Sequence, residues 1–219
     1  HKTRFGLPHA HFVAITATRP PERNQMKVTI ETTAIEGAVF LHPEPFRDAR
    51  GFFLEAYRED AWREAGFALP EPGIVQWNHS GSVRNVVRGL HFQWSPPMGK
   101  LMRITAGSAF VVAVDIRKGS PTFGKWVGRE VRGAEPTLFW APAGCARGFA
   151  VTSDFAELMY MCTGTYNSNC ESGILWNDPA IGIDWPVTDP ILAPKDANAQ
   201  TLAEWTARPE SDFFRHGEK

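Results

Sequence analysis

Cysteine is scarce and odd in number. The 219 residues hold three, Cys145, Cys162 and Cys170, with no C-x-x-C pair. That argues against a disulfide framework and for reduced thiols, so a cytoplasmic setting is expected. No apolar run approaches the ~20 residues that span a bilayer. Neither sign of charge dominates: 23 Lys and Arg face 24 Asp and Glu, a net charge of −1. Nothing electrostatic therefore points to nucleic acid or to an anionic membrane as partner. Strand–helix alternation is missing, which removes a doubly wound sheet, and no period of 20–50 residues suggests a repeat array. Histidine is thin as well, with only His42, His79 and His91 between residues 12 and 215.

What the chain does have is apolar surface to bury: 43% hydrophobic residues, with 15 Phe and 8 Trp. Residues 1–25 carry a weak apolar patch and no clear cleavage site, so they read as an extension and the fold is expected to begin near Met26. From there short β-like runs follow closely, at 27–33, 38–42, 51–57, 85–93, 100–106, 108–117, 124–132, 137–141, 148–153 and 156–163. Each is bounded by Gly, Pro, Asp or Ser. Many alternate apolar with polar; SAFVVAVDI is apolar throughout, as a strand covered on both faces should be. REDAWREAG (58–66) and TLAEWTA (201–207) read as helices. No Pro/Ser linker divides residues 26–200. One all-β domain is expected there, a sandwich or jelly-roll barrel, followed by a helical tail over 201–219.

Chemistry concentrates in 86-VVRGLHFQWSPPMGKLMRI-104. On a period-two strand His91 shares a face with Gly89 and Gln93, and Gly89 would leave room beside the ring for a ligand. By position alone such a histidine reads first as a core or surface residue with satisfied nitrogens, and Lys100 as a solvated lysine. The turn WSPPMG (94–99), however, is expected to fold the Lys100 strand back against the His91 strand, with both side chains in a barrel mouth. An imidazole there is suited to taking a carbon-bound proton, and an ammonium to steadying the oxyanion that results. Together they describe proton abstraction beside a carbonyl. The planar fork of Arg88 suits phosphate.

A metal site is the rival reading. Small metal-binding barrels use an H-x-H pair, a carboxylate and a later histidine. Here His91 stands alone, and the later position is Arg147, whose permanent charge repels a cation. His9 and His11 form an H-x-H only in the extension. No metal is expected.

Seven stretches, in order, carry a family resemblance: 50-RGFFLEAY-57, 76-QWNHS-80, 88-RGLHFQ-93, 99-GKLMR-103, 112-VAVDIRKGSPTFGKWVG-128, 157-ELMYMCT-163 and 173-GILWNDPAIGIDWP-186. Over residues 28–200 the chain resembles the dTDP-4-dehydrorhamnose 3,5-epimerase family. The resemblance implies an all-β cupin-type jelly-roll barrel with a few short peripheral helices, a homodimer, and no metal or cofactor. It also implies epimerisation at C3 and C5 of a dTDP-4-keto-6-deoxyhexose, whose C4 ketone acidifies both hydrogens. By position, His91 matches the base, Asp196 the carboxylate behind it, Lys100 the cation at the enolate, and Tyr160 the proton donor on the opposite face. Arg88 and Lys195 match positions at the diphosphate or adjoining sugar. Arg50, Glu55, Gln76 and Asn78 match positions around the nucleotide, where the family lets the neighbouring subunit contribute. Tyr166 and Glu171 match further substrate-side positions.

The chain departs from the family pattern in three places. Arg147 stands where histidine is usual; it is expected to hydrogen-bond substrate but not to exchange a proton. Met98 replaces a glutamine before Gly-Lys, and Met161 a lysine after Tyr160. These departures bear on the number of centres inverted, so a single-site epimerase of a related sugar is the first alternative. A non-catalytic sugar-nucleotide-binding cupin and a metal-dependent cupin oxygenase follow.

Overall fold

The structure is a computed structural model that describes residues 27–217; the extension expected over residues 1–25 lies outside them. The described residues form two facing antiparallel sheets. One has the order β1 (Val28–Thr32), β2 (Val39–Pro43), β10 (Leu138–Ala141), β7 (Lys100–Ala106), β12 (Phe155–Cys162), β5 (Gln76–Val83). The other runs β13 (Glu171–Gly173), β6 (Val87–Gln93), β11 (Cys145–Val151), β8 (Ser108–Asp115), β9 (Trp126–Arg132). A separate hairpin joins β3 (Phe46–Asp48) to β4 (Gly51–Phe53). The helices are short: α1 (Glu59–Glu64), α2 (Pro194–Ala197), α3 (Leu202–Ala207) and a 3₁₀ turn over Pro209–Phe213. This is the expected all-β jelly roll of cupin type.

Alternation along the central strands builds three apolar layers. Val111 and Ala113 of β8 point inward and meet Phe40, Met102, Phe139 and Phe149 between the sheets. Val112 and Val114 point outward, where Leu90, Phe92, Trp205 and Phe214 cover them. The C-terminal segment thus seals the back of the five-stranded sheet, and the Phe92 and Trp205 rings lie 4.5 Å apart. Burying each such aromatic contributes about 2–3 kcal/mol. α3 starts on a capping box: the Thr201 hydroxyl accepts from the Glu204 N–H, and the Glu204 carboxylate accepts from the Thr201 N–H. On the other outer face, Leu101, Trp140 and Met161 pack under Trp62 of α1.

Three sequence expectations change. The run expected over 51–57 pairs only as far as Phe53, in the small hairpin. β5 has no counterpart among the expected strands, because its inward residues are the polar Gln76, Asn78, Ser80 and Ser82, while Trp77 and Val83 are 62% and 54% exposed outside. Most consequential, β6 and β7 are not partners. β6 pairs with β11 and β13, whereas β7 pairs with β10 and β12. The turn between them crosses from one sheet to the other, so His91 and Lys100 sit on opposite walls.

Candidate active site

The cavity these walls enclose has a volume of about 430 Å³. Met102, Phe149 and Leu158 lie at its inner end, and polar side chains from both sheets rise around it. β6 supplies two of them because its register slips against β11: Arg147 pairs with His91, but Phe149 pairs with Arg88, so two residues of β6, Gly89 and Leu90, oppose one of β11, Gly148. That bulge turns Arg88 and His91, three apart in sequence, to the same face. Gly89 lies within it at φ +124°, a conformation that favours glycine. The room expected above Gly89 is not there for a ligand. A Cβ at that position would meet the Gly148 Cα at 2.7 Å and the Arg147 carbonyl oxygen at 2.8 Å. Glycine serves the close approach of β6 to β11.

His91 is fixed by a residue 105 positions away. Its Nε2 lies 2.6 Å from Oδ1 of Asp196, in α2, and Asp196 is only 3% exposed. The backbone N–H of Gly89 donates to the other carboxylate oxygen at 3.4 Å. Burial alone would raise the Asp196 pKa, but the hydrogen bond and charge of His91 outweigh it and the net shift is downward. An ionised carboxylate takes the Nε2 hydrogen, which leaves Nδ1 with the lone pair. Among the described residues nothing hydrogen-bonds to Nδ1, and the ring lines the cavity.

Across the cavity, the Lys100 Nζ lies 4.9 Å from the centre of the Tyr160 ring. Lys100 makes no ion pair among the described residues. Burial, and secondarily the charge on Arg147, lower it from 10.5 to about 8. It therefore keeps its proton at neutral pH but not far above. Burial raises the Tyr160 phenol, which stays protonated. The arrangement offers a base on one sheet and, facing it, a cation with a hydroxyl donor.

The mouth is polar. Gln76 donates to Asn78 at 3.1 Å and accepts from the Tyr166 backbone N–H at 2.8 Å. The Tyr166 hydroxyl donates to Glu171 at 3.0 Å, and Glu171 lies 3.5 Å from the Lys195 ammonium. Arg88 donates to Ser82 at 3.1 Å. Two residues expected at the site stand apart from this cavity. Arg50, in the turn of the β3–β4 hairpin, pairs with Asp48, and Glu55 pairs with Arg58. Among the described residues no three His, Cys, Asp or Glu side chains gather as a metal set.

A family profile described as dTDP-4-dehydrorhamnose 3,5-epimerase matches residues 32–204. A curated protein of that name from Neisseria gonorrhoeae is 47% identical over 173 residues, 78% of this chain and 52% of that protein's length. The one from Shigella flexneri is 45% identical over 183 residues, 83% of this chain and 97% of its own. The crystal structure of dTDP-6-deoxy-D-glucose-3,5-epimerase from Legionella pneumophila, in complex with dTDP-4-keto-L-rhamnose, superposes with a TM-score of 0.80 at 38% identity. That match covers 88% of this chain and all of the Legionella chain.

The chain belongs to the dTDP-4-dehydrorhamnose 3,5-epimerase family. As an isomerase of this family it carries two residues at or behind the cavity wall that the sequence reading did not single out. Cys162 lies directly across from Lys100 in the β12–β7 ladder and accepts a long hydrogen bond from Asn78, at 3.8 Å. Ser82 holds Arg88 in place. Both are small inward-facing residues; alternation from Tyr160 along β12 would have found Cys162, whereas Ser82 lies on β5, the strand that hydrophobic alternation hides. Arg147, expected to reach substrate, lines the cavity; it is 3% exposed, and its two terminal nitrogens donate to the backbone carbonyls of Cys145 and Met98, each at 2.7 Å.

Proposed function

We propose that this epimerase inverts C3 and C5 of dTDP-4-dehydro-6-deoxy-D-glucose to give dTDP-4-dehydro-L-rhamnose. The observation that carries the reading is the His91–Asp196 bond, which leaves Nδ1 in the cavity opposite Lys100 and Tyr160. Nδ1 takes the proton from the carbon next to the C4 ketone. The C–H electrons form the enolate, whose negative oxygen the Lys100 ammonium stabilises. Asp196 supports the imidazolium that forms, as an orienting carboxylate does. The Tyr160 phenol returns a proton to the other face of the carbon, which inverts it. Each cycle leaves one proton on His91 and removes one from Tyr160, so both must exchange with solvent before the next. Solvent hydrogen therefore enters the product.

Arg88 and Lys195 would hold the diphosphate at the mouth, with Gln76, Asn78, Tyr166 and Glu171 towards the nucleotide and sugar. Arg50 and Glu55 fit this role through a cytoplasmic homodimer in which the partner copy's hairpin reaches the mouth. Phe46, Phe52 and Phe53 support it: they are 43%, 55% and 67% exposed on that hairpin, and such an apolar face favours a cover.

The test is NMR of the dTDP-keto sugar with the protein in D₂O, beside the His91→Ala variant. Two deuterons per product, lost in the variant, support the reading. A single deuteron assigns a single-site epimerase. Tight dTDP binding with no exchange would leave a binding protein, and full exchange by His91→Ala would remove His91 as the base.

A further inference from the structure

The reaction above gives Arg147 no task, although its charge is as deeply buried as that of Asp196. Two hydrogen bonds explain its setting. Cys145 belongs to the five-stranded sheet, and Met98 to the crossing turn, two residues before Lys100. One rigid fork therefore spans from one sheet to the entry of the strand that bears Lys100 on the other. The Nε of Arg147 has no partner among the described residues. Burial lowers the guanidinium to about 10, so it stays cationic through the neutral range.

Lys100 faces Arg147 on β11, Tyr160 and Cys162 on β12, Glu171 on β13, and Lys195 with the His91-bound Asp196 on α2. Tyr160 and Cys162 are neutral at pH 7, their pKa values raised by burial. Glu171 and Lys195 lie close enough to offset one another, and the Lys195 side chain is 60% exposed. Arg147 is the buried, permanent charge of the set.

We propose that Arg147 is a positioning residue: its guanidinium clamps the Met98 carbonyl to β11, aims Lys100 across the cavity, and sets a fixed positive charge beside that lysine. The inference rests on the role given to Lys100 above. Fixing the strand entry holds the ammonium where the enolate oxygen forms, and displacement by about an ångström is enough to cost one to two orders of magnitude in rate. The adjacent charge makes Lys100 a poorer proton acceptor and shifts its titration down.

The experiment uses the full chain with Arg147→Gln, which loses the charge and the fork, and Arg147→Lys, which keeps the charge and loses the fork. The Lys100 side-chain resonance, assigned by its loss in Lys100→Met, is titrated by carbon-13 NMR. kcat, KM and their pH profiles are measured alongside, with calorimetry of dTDP binding. In Arg147→Gln the Lys100 midpoint and the alkaline limb of kcat should both rise by roughly one unit. kcat should fall by roughly tenfold or more, with KM and the dTDP Kd changed less than about threefold. Arg147→Lys should lose kcat similarly while its midpoint stays near that of the wild type. A tenfold rise in KM at unchanged kcat and midpoint would make Arg147 a substrate contact and overturn the proposal, as would a variant with both kcat and midpoint intact. Should Arg147→Gln fail to fold, Arg147→Lys decides the clamp by kcat alone. If the wild type turns over no dTDP-keto sugar, the functional reading fails by itself; a Lys100 midpoint that still moves in Arg147→Gln supports the placed charge, and one that does not move overturns it.

Discussion

Replacing Lys100 with methionine separates what the ammonium does for the reaction from what its burial costs the fold. In the folded chain Lys100 titrates near 8 against an ordinary 10.5, chiefly because burial disfavours the charged form. At ~1.36 kcal/mol per pH unit, holding that proton destabilises the folded state by about 3 kcal/mol. The sign follows from proton binding. Below pH 8 both folded and unfolded lysine are protonated and the full penalty stands. Between about 8 and 10.5 the unfolded chain binds more protons, so wild-type stability recovers as pH rises, and above 10.5 the penalty is gone. Urea unfolding of both proteins should therefore show Lys100→Met more stable by up to about 3 kcal/mol at pH 7, with the gap closing by about pH 10.5. The same variant should lose roughly 10²–10³ in kcat, the usual cost of removing one oxyanion-stabilising group. Wild-type turnover should fall above pH 8 with the ammonium fraction, to roughly a tenth of its plateau at pH 9. A stability gap that does not vary with pH, or that favours the wild type at pH 7, would refute the account of Lys100 as a buried, strained cation.

Asp196→Asn removes the charge from a 2.6 Å hydrogen bond whose loss is worth about 1.5–3 kcal/mol, so kcat should drop roughly 10- to 100-fold with little change in KM; a loss below threefold in steady-state assays would contradict the orienting role. Tyr160→Phe should impair inversion more than deuterium exchange, because His91 alone can return a deuteron to the original face, and equal loss of inversion and exchange would count against the phenol as donor. Asp115→Ala should destabilise the fold by about 3–5 kcal/mol without altering the site, because it strands Arg117 beside a buried vacancy. Burial alone would raise Asp115, but hydrogen bonds from Arg117, Ser120 and Thr122 hold it at about 2. Its contribution is thus present above pH about 3.8 and lost as pH falls towards 2, and acid unfolding of the two proteins should converge over that window.

The apolar strands were legible because their pattern is the pattern of their burial. SAFVVAVDI reads as covered on both faces, and β8 is. His91 stood out because histidine is rare in the body of the chain, and Lys100 because a two-proline turn sets it near. Strand β5 was hidden for the opposite reason: its inner face is polar for the sake of the cavity, so hydrophobic alternation runs the wrong way. The seating of His91 and Lys100 on different sheets depends on which strands pair, and no local signal in WSPPMG decides between a hairpin and a crossing. The bulge that aligns Arg88 with His91 rests on two glycines from separate strands, Gly89 and Gly148, whose close approach becomes visible only when both are in place. Asp196 lies in a four-residue helix that PKDA alone does not announce. Its tie to His91 came from the resemblance and not from spacing.

Because base and cation belong to opposite layers, the reaction is run in a vice whose jaws are the two halves of the protein, about 10 Å apart as packed sheets generally are. Met102, Phe149 and Leu158, packed between the sheets at the inner end of the cavity, act as the shims. Thinning or thickening one of them resets the span over which a proton and a negative charge must be shared. Turnover in this protein is thus tunable from its greasy filling, with every polar group left as it is.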